Sequence, residues 1–308
     1  MTVRARFAFA AAAFSVLVVS ACGGGDGGGA AITADGSSTV GPFVTKAAED
    51  FKAEQDVDVT VGISGTGGGF ERFCADETDL SNASRPIDEE EQALCADAGV
   101  EYTEFRVATD ALTNVVNAVN DWATCLTVDQ LKTIWQPDSE VSSWSQVDPA
   151  FPDVELSLFG PGTDSGTFDY FTDVVNGEEG ASRTDYSPSE DDNVIVQGVS
   201  GNRGGLGYFG FSYFEQNQDV LRALEVDGGT GCVAPSAETA QNSSYAPLSR
   251  PLYVYVKQAS FDANEDVRSF VGFMLDNNAS IAEAAQFVPL SDEQLAEEQS
   301  KLEEAAVE

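Results

Sequence analysis

Three times along this chain a short apolar run empties into a loop of glycine, serine and threonine that opens a helical pattern. The loops are GSSTVGP at 36–42, SGTGGGF at 64–70 and DSGTF at 164–168. Short apolar strands alternating with amphipathic helices define the α/β class. The first strand is expected at Ile32–Ala34. Phe43, Val44, Ala47, Ala48 and Phe51 then recur at helical spacing behind the capping-type residues Ser37, Ser38 and Thr39. Further strands are expected at 57–63, 115–119, 154–159, 206–211, 220–226 and 252–256, with 79–84 passing from strand into loop. Helices are expected at 88–96, 127–135, from 168, at 267–275 and over 291–308. Pro137, Pro149 and Pro152 punctuate the long connection after Trp135. No internal repeat is visible.

The N-terminus constrains the compartment. Arg4 and Arg6 precede an apolar run from Phe7 to Val19, and Val19-Ser20-Ala21-Cys22 reads as a lipobox. The run is short for a spanning helix, which needs about 20 residues. Residues 1–21 are therefore expected to be a lipoprotein signal peptide, with Cys22 the lipidated first residue of the mature chain. The glycine-rich stretch 22–31 serves as a flexible tether. The expected location is extracytoplasmic, anchored to the cell membrane through that lipid alone. What remains is too long for one small core and suits two lobes.

Composition removes several function classes. With 52 acidic against 15 basic residues the formal charge is −37, which makes nucleic acid or an acidic membrane surface an unfavourable partner. Setting Cys22 aside leaves Cys74, Cys95, Cys125 and Cys232, an even number in an oxidising location. Three pairings are possible. Cys74 and Cys95 lie close in sequence around one strand–helix unit and are expected to pair, leaving Cys125 with Cys232. A zinc site is disfavoured, because CxxC spacing is missing and the chain has no histidine. No metal or cofactor is expected.

The three loops share one chemistry. A helix N-terminus offers free backbone N–H groups and the positive end of the macrodipole, hydroxyls add donors, and glycine lets backbone approach an oxyanion. One such loop is weak evidence, since serine and threonine cap helices everywhere; three together point to an anion site. SGTGGGF lacks both the P-loop lysine and the dinucleotide GxGxxG context. Ser165 as a nucleophile would need a base; without histidine only an unusual lysine or carboxylate could serve, and none of the five lysines sits in a motif-like context. A fourth loop, TDLSNASRPI at 78–87, carries Asp79, Ser84 and Arg85. Arginine suits tetrahedral oxyanions through its fork of donors. A carboxylate there can accept the O–H of hydrogen phosphate, which sulfate lacks.

In this order GSSTV, GTGGGF with DLSNASRPI, and GPGTDSGTFDYF resemble the phosphate-binding proteins of the phosphate-specific ABC transport system, over Ile32 to about Leu290. The resemblance implies a periplasmic-binding-protein-like type II fold, two α/β lobes with two hinge crossovers and ligand between them. Lobe 1 is expected to take 32–110 plus 250–308, and lobe 2 to take 111–249. The family's ligand groups fall on Ser38 and Thr39, on Thr66 beside Gly67, on Asp79 as proton acceptor, and on Ser165, Gly166 and Thr167. Ser84 and Arg85 complete the expected site. The family's arginine, four residues before the last group, is replaced here by Pro161, so Arg85 is expected to supply the charge, with Arg203 a second candidate. The expected function is capture of inorganic phosphate by a monomer that delivers it to ABC permease subunits, without catalysis. The alternatives are a secreted phosphatase or phosphotransferase, or a binding protein for sulfate, molybdate or another oxyanion.

Overall fold

Strand β1 (Ile32–Gly36) runs into helix α1 (Gly41–Gln55), whose first turn holds Pro42 where no intrahelical N–H is needed. One face of α1 buries Phe43, Val44, Ala47, Ala48 and Phe51, as the spacing predicts, and the helix stops at Asp56 in the left-handed region. β2 (Val59–Val61), α2 (Gly65–Cys74), β3 (Leu80–Ala83) and α3 (Glu89–Ala98) follow. Asp88 and Glu91 form a capping box at the start of α3, and Gly99 at φ 71° ends it. The computed structural model from which this architecture is read describes residues 32–163 and 165–306. The expected signal peptide, lipidated Cys22 and tether lie outside the described residues.

The chain then enters β4 (Tyr102–Asn117), a strand of 16 residues. Next come β5 (Cys125–Thr127), α4 (Val128–Trp135), α5 (Trp144–Val147) and β6 (Ser157–Gly160). α6 (Gly166–Phe171) continues into a π-helical turn at Thr172–Asn176, before β7 (Ser187–Pro188), α7 (Asp192–Gly201), β8 (Gly205–Gly210) and α8 (Phe211–Glu215). β9 (Leu221–Ala223), β10 (Glu225–Asp227), β11 (Cys232–Val233) and α9 (Ala237–Gln241) precede the return strand β12 (Ser249–Lys257). Helices α10 (Gln258–Ala263), α11 (Glu265–Asp276), α12 (Asn278–Ala284) and α13 (Asp292–Ala305) close the chain.

The main sheet has the order β2-β1-β3-β12-β4-β8-β6-β7, with β9 also on β4; β11, β10 and β5 form a small second sheet. β4 is shared. Its residues 102–111 pair antiparallel with β12, and 112–116 pair antiparallel with β8. Leu112 N–H donates to Leu248 O at 2.8 Å, so the two chain passages between the lobes lie side by side. Each lobe has its own core. In the first, Phe51 of α1 meets Phe270 of α11 with ring centroids 5.3 Å apart. In the second, Phe171 stacks on Tyr208 at 3.8 Å, and Trp135 meets Tyr208 edge-on at 5.0 Å. The disulfides are Cys74–Cys95 and Cys125–Cys232, as expected.

Two sequence expectations change. The strand expected at 115–119 is the end of β4, which begins at Tyr102. The run expected at 220–226 is two strands broken at Leu224, whose N–H turns back to Asn114 O at 2.8 Å. Helices α5, α7, α8, α9, α10 and α12 were not anticipated.

Candidate functional site

The four loops meet where the lobes face each other. A cavity of about 480 Å³ is lined by Ser38 and Thr39 from the loop after β1, Thr66 and Gly67 from the start of α2, and Ser84 and Arg85 from the end of β3. Arg250 of β12 stands beside Thr39 on the same side, and Asp169 and Tyr170 of α6, with Asp173 and Glu179, line the cavity from the second lobe. An adjoining cavity shares Ser38 and Thr39 and adds Asp110, Ser165, Gly166 and Thr167. A methyl group placed on Gly166 would stand 3.0 Å from Thr39 Oγ1, so the two lobes come into near contact at this point.

Local chemistry explains why the loops hold this shape. Gly36 sits at φ 141°, and a Cβ there would lie 2.1 Å from Asn82 O, so only glycine lets β1 end against β3. Buried Asp35 gathers the first two loops: its Oδ1 accepts from Gly36 N at 2.7 Å, Ser64 N at 3.0 Å and Ser64 Oγ at 2.8 Å. Arg72 closes that cluster by pairing with Asp35. Thr66 Oγ1 and Ser84 Oγ lie 3.1 Å apart, and Ser84 N–H donates to Thr66 Oγ1 at 3.3 Å, tying the second loop to the end of β3. Ser165 caps α6 by accepting from Thr167 N at 3.2 Å.

Arg250 was not singled out from the sequence, and it stands at the centre of the arrangement. From the second position of β12 it donates through Nε to Asp110 Oδ2 at 3.2 Å and through Nη2 to Thr39 Oγ1 at 3.0 Å. Its guanidinium carbon lies 3.7 Å from the ring centroid of Tyr170. Burial holds the Asp110 carboxyl above its ordinary range, with the Arg250 charge pulling the other way. Asp169 is likewise pushed up, by burial first and by Glu179 second, against Arg250.

Asp79 is a correction. Its Oδ2 accepts from Thr33 N at 2.9 Å and Thr33 Oγ1 at 2.8 Å, and its Oδ1 from Ser260 Oγ at 2.7 Å; it lines neither cavity. The reason is register. Leu80–Ala83 is a strand of about 13 Å at 3.3 Å per residue, so Asp79 and Arg85 lie beyond its opposite ends. Arg85 does reach the cavity, but its fork is engaged by Glu91 at 2.7 and 2.8 Å, and that pair raises its pKa. Arg203 lies 5.3 Å from the Trp122 ring centroid and lines neither cavity. Among the described residues Cys125, Glu225 and Cys232 bring metal-type ligand atoms within 4.8 Å, but both sulfurs are joined as a disulfide.

A cleft between two α/β lobes, crossed by adjacent strands and lined by hydroxyls and two guanidinium groups, defines a solute-binding protein of the type II periplasmic-binding-protein fold. The chain belongs to the PBP superfamily, whose domain model matches residues 23–278. It is 46% identical over 284 residues to the protein SphX of Synechocystis sp., covering 91% of this chain and 84% of that protein. Identity to the phosphate-binding protein PstS of Staphylococcus saprophyticus is 42% over 275 residues, 89% of this chain and 84% of that one. The crystal structure of a possible phosphate binding protein from Planctomyces limnophilus superposes with a TM-score of 0.85 at 42% identity, covering 90% of this chain and 99% of that one.

Proposed function

We propose that this protein is an extracytoplasmic binding protein that captures inorganic phosphate between its lobes and delivers it to an ABC importer. The observation that carries the reading is the convergence of hydroxyl-bearing strand-end loops from both lobes on Arg250. The names of the relatives support the ligand. Ser38, Thr39, Thr66, Ser84, Ser165 and Thr167 would donate to phosphate oxygens, with the backbone at Gly67 and Gly166 open to close approach. Arg250 would carry the formal charge, and Arg85 would complete the rim. Asp110, fixed against Arg250 and facing the same hydroxyls, takes the role the sequence assigned to Asp79: it can accept the O–H of hydrogen phosphate.

Residues 32–110 and 250–308 would move as one lobe against 111–249, closing about the paired passages near Leu112 and Leu248. Anchoring through Cys22, a monomeric state and docking on permease subunits complete the proposal. Calorimetric titration of phosphate-stripped protein with phosphate and with sulfate tests it, with a phosphate ester incubated in parallel. Stoichiometric, phosphate-selective binding without ester turnover is expected. Ester hydrolysis, or sulfate bound as tightly as phosphate, would overturn it.

A further inference from the structure

The lobe 2 side of the cleft is acidic in a way that capture of a dianion does not call for. Asp169, Asp173 and Glu179 all line the main cavity, and among the described residues none has a lysine or arginine within ion-pair distance. The two guanidinium groups of that cavity are already engaged, Arg85 by Glu91 and Arg250 by Asp110. Asp169 feels Glu179 as a like charge, and Asp173 lines the same cavity four residues on from Asp169. The cleft's size does not select a small ion. At about 480 Å³ it lies within the range of roughly 300–1,000 Å³ that accommodates whole small-molecule ligands.

Resting on the phosphate reading above, we propose that Asp169, Asp173 and Glu179 form an electrostatic wall that rejects phosphate compounds carrying a second anionic group, pyrophosphate and nucleotides among them. One tetrahedral ion satisfies its oxygens on the hydroxyl loops and Arg250. A second phosphoryl group bound to it has no donor set of its own and is placed against carboxylates in a partly desolvated cleft. Like charges meeting there repel, most strongly at half-buried Asp169. Asp173 and Glu179 are exposed, so replacing them leaves the core intact.

The test compares orthophosphate, pyrophosphate and glycerol 3-phosphate, whose tail is similar in length to a second phosphoryl group but uncharged. Their dissociation constants are measured at pH 8 for the parent protein and for the Asp173→Asn/Glu179→Gln double variant. The expected result is a fall of about tenfold or more in the preference for orthophosphate over pyrophosphate, while the preference over glycerol 3-phosphate stays within about threefold. An unchanged pyrophosphate preference, or an equal gain for glycerol 3-phosphate, overturns the wall. Equal affinity of the parent protein for orthophosphate and pyrophosphate also overturns it, and leaves the phosphate reading standing. A parent protein that binds no orthophosphate overturns the phosphate reading, and the wall with it.

Discussion

Arg250 touches three parts of the molecule at once: Thr39 in the first loop, Asp110 on the shared strand, and the ring of Tyr170 in the second lobe. Its side chain is mostly buried, whereas that of Arg85 is 43% exposed and held by Glu91. The two arginines should therefore differ sharply on truncation. Arg250→Ala is expected to weaken phosphate binding by about 2 to 5 kcal/mol, the range for removing one partner of a buried, hydrogen-bonded charge pair. Arg85→Ala should cost about 1 kcal/mol or less, as for an exposed ion pair. Titration of both variants decides it, and a larger loss in Arg85→Ala would reverse the assignment. The hydroxyl residues were legible because small residues between an apolar strand and a helix have few other uses in such number. Arg250 was not, because it is an isolated arginine 211 residues from the Thr39 it bonds. Asp79 misled for a different reason: 79–84 reads as passing from strand into loop, which puts Asp79 and Arg85 on one loop, whereas the strand Leu80–Ala83 lies between them and sets them beyond its opposite ends.

At the level of elements, the strand that matters most was the hardest to see. From Val107 to Asn117 every residue of β4 is buried, yet Thr109, Asp110, Thr113, Asn114 and Asn117 interrupt the apolar pattern. A strand covered on both faces gives no alternation to read, and its polar residues look like turn signals. Helix α7 shows a different tension. It begins at Asp192 beside Asp191 and Glu190, and burial first, then those neighbours, lift the Asp192 pKa to about 6. A helix N-terminus favours the ionised form, but here the apolar surroundings and like charges outweigh it. The sign follows from the unfolded value of about 3.9: the folded state holds this proton more tightly, so its contribution is present below about pH 4 and is lost as pH rises through 6. Asp192→Asn, which keeps the shape of the protonated group, is expected to stabilise the protein by about 1 to 2 kcal/mol at pH 8 and to have little effect at pH 4. Urea unfolding at the two pH values measures this. An equal effect at both would show that Asp192 is not protonated in the fold.

Over the whole molecule, short-range recognition and long-range charge oppose each other. The chain carries a formal charge of −37, yet its proposed ligand is an anion. Once the ion is inside, donors at contact distance dominate, and most surface carboxylates lie beyond the Debye length of about 8 Å at physiological salt. The approaching ion experiences the opposite balance. At about 10 mM salt the Debye length grows to about 30 Å, comparable with the protein's own dimensions, so the field of the whole surface repels the incoming ion. Ordinary electrostatic steering, in which added salt slows association, is thus inverted here. The association rate for phosphate should rise, on the order of tenfold, between about 10 mM and 1 M sodium chloride, while the dissociation rate changes far less because it is set by contacts within the closed cleft. Stopped-flow mixing followed by intrinsic tryptophan fluorescence at a series of salt concentrations measures both rates. Trp135 belongs to the aromatic cluster that includes Phe171 at the end of α6, the helix that bears Tyr170 in the cleft, so closure has a reporter built into the core. An association rate that falls with salt would mean that the cleft presents a net positive field despite the charge of the chain. The balance between the two arginines and the carboxylates around them would then have to be redrawn.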